Sequence, residues 1–205
     1  MSIRAHAIID CNEEPDADRI HTRLDWALPE VNGVRAYWRK QQPAVRVRQI
    51  NTGSKRRGAK MAAWAALADH SWVLSLHNYE GYKPEFSFLG PGGLSVWVYR
   101  NHIEIHSGCR WEGFLTIAPL RHVHLIAFHR IAGVLKANTL AIMRNDARAI
   151  DLLWSGASFE EALASLEAEY GPPQPGVKRI GREIRNAVWF LEDVEDPTNA
   201  VADRQ

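Results

Sequence analysis

Residues 96–111, VWVYRNHIEIHSGCRW, decide the fold of this chain because they form its clearest β-hairpin. Apolar and polar residues alternate on both sides of residues 100–101, as expected for two strands joined by a two-residue turn. Such a turn sets Val96 opposite Ile105 and gives the hairpin one apolar face. The opposite face then carries polar and aromatic side chains, namely Ser95, Trp97, Tyr99, His102, Glu104 and His106.

The hairpin belongs to a longer run of short β-rich segments. From Trp72 to Ile117, segments separated by Gly, Pro and Asn predict an antiparallel meander of four or five strands, reading SWVLSLHN, EFSFLGPGG, LSVWVY, HIEIHS and GFLTIA. Residues 3–9 and 45–50 predict further strands. The sequence therefore indicates the α+β class, with a central antiparallel sheet of about five strands, helices packed on one face and a C-terminal helical segment.

Helical patterns surround these strands. Pro15 precedes one amphipathic run, Pro119 opens a longer one, and a helical pair follows that ends near Trp154. Ser158 and Glu161 have the spacing of a capping box for a helix over 159–169, which a glycine ends.

The clearest linker is GPPQPG, residues 171–176, and we expect it to separate two parts of the chain. Residues 1–171 form the main α+β domain. Residues 172–205 comprise the linker, an amphipathic helix and a disordered tail. The helix is predicted from the spacing of Ile180, Ile184, Val188 and Leu191.

Composition narrows the class of protein. The 205 residues include 25 basic and 24 acidic side chains, and this balance argues against a general binder of nucleic acid or anionic membranes. The first residues lack the apolar region of a signal peptide, which favours a cytoplasmic protein without a membrane association.

The two cysteines form no C-x-x-C pair and are expected to be reduced thiols. Cys109 is a candidate nucleophile only if a histidine lies within hydrogen-bond reach.

The polar face of the hairpin allows a metal site or an ordinary sheet surface. Histidine and glutamate are ligands for zinc and iron, so a metal-dependent hydrolase is one hypothesis, with ligands from a central histidine cluster of His77, His102, Glu104, His106 and the histidines of 122–129. However, at about 3.4 Å per residue, His102 and His106 lie roughly 13 Å apart at their backbones. One ion can therefore take Glu104 with one of these histidines, and hardly with both. The alternative is a solvated strand face.

A basic region precedes the meander. The loop NTGSKRRGAK, residues 51–60, lacks the spacing of a phosphate-binding P-loop, but its cations could contact nucleic acid or a nucleotide phosphate. The residues concerned are Arg46, Arg48, Lys55, Arg56 and Arg57.

The layout resembles bacterial toxin-immunity proteins over about residues 15–120. The likeness is carried by an early helix, the segment RAYWRK, the strand WVLSLHN and scattered tryptophans. It implies a stoichiometric inhibitor that binds a toxin or effector directly, with no cofactor and no turnover. The expected contact surface combines the hairpin face with the basic region: Trp97, Tyr99, His102, Glu104, His106, Arg46, Arg48, Lys55, Arg56 and Arg57.

Overall fold

A computed structural model describes residues 3–10, 16–27, 72–76, 84–90, 93–174 and 187–194. Its strands are β1 (Arg4–Asp10), β2 (Val73–Leu76), β3 (Phe86–Leu89), β4 (Ser95–Val98), β5 (His102–Arg110), β6 (Thr139–Arg144) and β7 (Trp189–Asp193). Its helices are α1 (Ala17–Ala27), α2 (Trp111–Thr116), α3 (Ala118–Val134), α4 (Arg148–Trp154) and α5 (Phe159–Tyr170). The predicted α+β class is confirmed.

The strands form one antiparallel sheet in the order β2-β3-β4-β5-β1-β6-β7. The predicted hairpin register is confirmed, because Val96 pairs with Ile105 and Val98 with Ile103. Strand β5 then continues beyond the hairpin and pairs along its other edge with β1. The longest strand of the sheet thus joins the local meander to the N-terminal strand.

Helices cover both faces of the sheet. Apolar residues of α1, α2 and α3 pack with one set of strand residues, among them Ile9 and Ile105. Residues of α4 and α5 pack on the other face with a second set, among them Ile8 and Met143. The prediction of helices on a single face is therefore wrong. Adjacent strand residues point to opposite faces, and β1 and β6 are buried on both.

Three segments differ from their predicted structure. The run GFLTIA, predicted as a strand, lies in α2 and the start of α3, and the indole nitrogen of Trp111 anchors α2 by donating to the carbonyl of Ala187 at 2.9 Å. Residues 139–144 form β6, in the region before Trp154 where only helices were predicted. Residues 189–193, predicted at the end of an amphipathic helix, form the edge strand β7, in which Trp189 and Phe190 are buried in the two different cores. The predicted strand at 45–50 lies outside the described residues.

The predicted helix over residues 159–169 is present as α5. Both hydrogen bonds of the capping box between Ser158 and Glu161 are present at the start of α5. The helix ends before Gly171, whose φ of 80° lies in the left-handed region. Within the described helices, no stretch is long and apolar enough to cross a membrane.

Candidate metal centre

Pairing between β1 and β5 brings four polar side chains together on the face covered by α4 and α5. His102, Glu104 and His106 alternate along β5, while Ile103 and Ile105 point into the opposite core. His6 of β1 pairs directly with His106 in the sheet. The next strand, which lies far away in sequence, therefore supplies a third imidazole that the hairpin alone does not contain.

Glu104 is the centre of this cluster, and its side chain is 0% exposed. Its Oε1 lies 3.0 Å from Nε2 of His102 and accepts a 2.7 Å hydrogen bond from the indole nitrogen of Trp154. Its Oε2 lies 2.7 Å from Nε2 of His106 and 3.4 Å from Nε2 of His6. The two oxygens therefore face different sets of partners.

The electrostatics favour a carboxylate and a neutral imidazole. Burial raises the pKa of Glu104, but hydrogen bonds with His102 and His106, together with the neighbouring His6, outweigh it and hold this pKa well below its usual range. Burial and then the charge of His6 lower the pKa of His106 to about 4. Near neutral pH, Glu104 is thus ionised and Nε2 of His106 donates a hydrogen bond to Oε2.

His6 is the exception in an otherwise hydrogen-bonded group. Its side chain is 2% exposed, and its Nε2 lies in ion-pair contact with Oε2 of Glu104 at 3.4 Å without forming a well-aligned hydrogen bond with any described residue. A buried polar atom without a partner costs about 1–3 kcal/mol. The two atoms lie 3.4 Å apart, so a cation bound between them would be a shared partner for both.

An outer layer holds His102 in place. Nδ2 of Asn101 donates to the carbonyls of Ala157 at 2.7 Å and Leu153 at 3.2 Å, which turns its Oδ1 towards Nδ1 of His102, 2.9 Å away. Tyr99 stacks on the same ring with a centroid distance of 4.4 Å. Burial and then the charge of Glu104 raise the pKa of Tyr99, so its hydroxyl stays protonated.

Among the four described residues of the cluster, the most exposed is His106. His106 is 28% exposed, whereas His6 and Glu104 are buried. The ring of Trp97 packs against His106 at 4.5 Å between centroids, and His6 meets the same imidazole edge-on at 4.2 Å.

Three of these residues have the spacing of a metal site. One ligand atom each from His6, Glu104 and His106 lies within 4.8 Å of the others. Two atoms that are each about 2.0–2.1 Å from a tetrahedral zinc ion lie roughly 3.3–3.4 Å apart. The separation of 3.4 Å between His6 and Oε2 has this value, while the 2.7 Å contact of His106 would have to lengthen as its hydrogen is replaced by an ion.

The structure places the sequence-predicted site residues differently from the expectation of an exposed surface. Tyr99, His102 and Glu104 are buried, whereas Trp97 and His106 are partly exposed, and the role of these residues in contacting a partner stays a prediction. His77 and the basic residues Arg46, Arg48, Lys55, Arg56 and Arg57 lie outside the described residues, so their roles stay predictions.

The histidines of α3 do not join the cluster. His122 is exposed, His124 is buried in the core on the opposite side of the sheet, beside Phe128, and His129 pairs with Glu192 at 2.5 Å. Cys109 is also buried in that opposite core, where burial raises the pKa of its thiol to about 12. A thiol with this pKa is unsuited to act as a nucleophile near neutral pH.

His6 and Trp154 are the site residues that the sequence-based reasoning missed. A signal for His6 existed, because the alternation of β1 places it on the face opposite Ala5 and Ala7, between Arg4 and Ile8. For Trp154 the sequence contains no such signal beyond its position near the end of a predicted helix. Comparisons with protein-family models, with curated proteins and with solved structures gave no match, so the functional argument rests on this geometry.

Proposed function

We propose that this chain is a metal-dependent enzyme of the hydrolase type, which holds one zinc ion through His6, Glu104 and His106. The observation that carries the proposal is the buried contact of Nε2 of His6 with Oε2 of Glu104, whose 3.4 Å separation is that of two ligands on one zinc ion and which is poorly aligned as a hydrogen bond. A polar network that served stability alone would be expected to pair this atom as well.

The ligand types favour zinc over harder cations. Calcium and magnesium prefer oxygen ligands, six or more in number, whereas this group offers two imidazole nitrogens and one carboxylate oxygen. Two histidines with one glutamate form a recurrent set in catalytic zinc sites, where the fourth position is left to water or substrate. Ferrous iron accepts a similar set, and the ion that the protein retains distinguishes the two.

The partly exposed side of the cluster matches a catalytic role better than a structural one. A structural zinc site is closed by four protein ligands, but the described residues bring three ligand atoms within reach. Zinc in such a position polarises carbonyl or phosphoryl groups and lowers the pKa of a bound water to about 7. In this chain the partly exposed His106 and Trp97 form the side from which a substrate would enter.

The test is metal content and activity in matched variants. Untagged protein is stripped with a chelator, reloaded with zinc, dialysed and subjected to elemental analysis. We expect one equivalent in the wild type and in His122→Gln, which alters an exposed histidine outside the cluster, and a value far below one in His6→Gln. Zinc-dependent hydrolysis of chromogenic ester and phosphodiester substrates should follow the same order. A wild type that retains no metal would overturn the proposal.

A second candidate function is direct binding of another protein, as the resemblance to immunity proteins implies. The observation that favours it is the partly exposed aromatic side of the cluster, formed by Trp97, His106 and Trp154. Aromatic anchors of this kind are enriched in interface hot spots. Substitution Trp97→Ala should then weaken capture of a stoichiometric partner from lysate while leaving the melting temperature nearly unchanged. A cytoplasmic location also remains part of this proposal.

A further inference from the structure

We infer that Asn101, His102 and Trp154 are positioning residues that make Glu104 a ligand through one oxygen only, and that they thereby select a four-coordinate ion such as zinc. This inference rests on the proposed metal site and specifies how it discriminates between cations. It concerns the side of Glu104 that faces away from His6 and His106.

Oε1 of Glu104 is fully engaged by protein donors. The indole nitrogen of Trp154 approaches it to 2.7 Å and Nε2 of His102 to 3.0 Å. A carboxylate oxygen has two lone-pair directions, so two hydrogen bonds leave Oε1 without a free direction for a metal. Oε2, by contrast, faces the two imidazoles that can become ligands.

The orientation of His102 is fixed from behind by Asn101. Because Nδ2 of Asn101 donates to the carbonyls of Leu153 and Ala157, its Oδ1 must face His102 and can only accept. Nδ1 of His102 therefore donates to Asn101, so Nε2 donates to Oε1 only in the imidazolium form, which carries a hydrogen on both ring nitrogens. Nε2 is directed at Oε1 as a consequence, and the stacked ring of Tyr99 keeps the imidazole in this plane.

Both restraints originate in one short segment of the chain. Trp154 is the last residue of α4, and the two carbonyls that hold Asn101 belong to residues 153 and 157, on either side of it. The connection between α4 and α5 thus sets the position of Oε1 by two routes. We expect loss of either route to free this oxygen.

A freed Oε1 would change which ions bind. A carboxylate that binds through both oxygens raises the coordination number, which suits calcium, and manganese also accepts oxygen-rich sites. A carboxylate held to one oxygen leaves three ligands and one open position, which suits zinc. Partners in the outer layer of a metal site commonly alter affinity by about 10- to 100-fold.

The experiment uses the full chain loaded with Co²⁺ as a spectroscopic substitute for zinc, because its visible absorption distinguishes four-coordinate from higher-coordinate sites. The variants are Trp154→Phe, which removes the indole donor and keeps an aromatic ring, and Asn101→Ala, which acts through His102. The matched control is Trp111→Phe, which also removes an indole hydrogen bond to a carbonyl, in the opposite core.

We expect wild type and Trp111→Phe to give the intense four-coordinate spectrum. Trp154→Phe and Asn101→Ala should give weaker, shifted bands, a zinc affinity lower by about 10- to 100-fold and a smaller preference for zinc over manganese. If both variants keep the wild-type spectrum and affinity, the inference is overturned while the metal site stands. If the wild type itself gives no Co²⁺ spectrum, the proposed function fails instead. Should Trp154→Phe not fold, Asn101→Ala decides the matter alone.

Discussion

Replacing Glu104 with glutamine preserves the shape of the side chain and removes the charge at the centre of the cluster. The residue is fully buried and forms three contacts of 2.7–3.0 Å, with His102, His106 and Trp154. A hydrogen bond to a charged group contributes about 1.5–3 kcal/mol, against about 0.5–1.5 kcal/mol for a neutral one. Replacing three charged hydrogen bonds by neutral ones therefore costs about 3–4.5 kcal/mol. The substitution also removes the cost of burying a charged carboxylate, which offsets part of this loss.

We therefore expect Glu104→Gln to lower the free energy of unfolding of the metal-free protein by about 2–4 kcal/mol. For a domain of this size the melting temperature should fall by roughly 4–16 °C. The assay is urea denaturation in the presence of a chelator, with a thermal scan of the same samples. The control is Glu85→Gln, since Glu85 is 42% exposed and its partner Arg100 is 90% exposed, so the loss should stay below about 1 kcal/mol.

Zinc should widen the difference between the two variants. An ion that binds the folded state alone stabilises it by an amount that grows with the logarithm of the free ion concentration relative to Kd. The wild type and Glu85→Gln should therefore gain stability with added zinc, and Glu104→Gln should not. Equal stability of the two variants without metal would refute the view that an ionised Glu104 organises the cluster.

Three further predictions concern the scaffold and its pH dependence. Ser158→Ala removes the hydroxyl that accepts from the backbone of Glu161 and should cost about 1 kcal/mol in urea denaturation, and an unchanged midpoint would contradict the cap. Gly90→Ala would place a methyl group 2.1 Å from the ring of Trp72, so we expect a loss of about 1–3 kcal/mol, and a variant as stable as the wild type would exclude this close packing. Burial lowers the pKa of His124 in the folded protein, so at acidic pH the unfolded chain binds more protons than the folded one. Stability should be complete above about pH 6.5 and decline below it, and His124→Gln should flatten this decline; equal slopes would count against a buried neutral ring.

The hairpin register followed from the sequence because two independent alternations meet at one turn. The pairs Val96 with Ile105 and Val98 with Ile103 both satisfy the apolar face, and a shift of one residue would have reversed every side chain. The helix over residues 159–170 could be predicted equally well, since its capping box and terminal glycine are local signals. Local patterns of this kind depend on neighbours in sequence alone.

Strand β6 was missed for a physical reason. Its residues 140–143 are all buried, because the strand lies inside the sheet with core on both faces. A continuous apolar run of this length has no period of two and cannot be distinguished from a buried helix by its pattern. Strand β7 was missed because apolar spacing near residues 180–191 fits a helix as well as a strand edge.

The candidate metal centre was only half predictable. Glu104 and His106 were identified as possible ligands, and the conclusion that one ion cannot join His102 and His106 agrees with the separate positions of these rings on the two oxygens. The third ligand depended on β1 lying beside β5, and the sequence does not specify this order of strands. The hydrogen bond from Trp154 to Oε1 could not be predicted either, because it depends on where α4 ends relative to the sheet.

The most direct test is the position of the bound ion in crystals of the zinc-loaded protein. Diffraction data collected on both sides of the zinc absorption edge locate the ion without reference to the protein ligands. We predict one strong anomalous peak, about 2.0–2.2 Å from Nε2 of His6, Oε2 of Glu104 and Nε2 of His106, with Oε1 still bound by Trp154. A fully loaded protein with no peak at this position, or with zinc only at exposed histidines such as His122, would contradict the account.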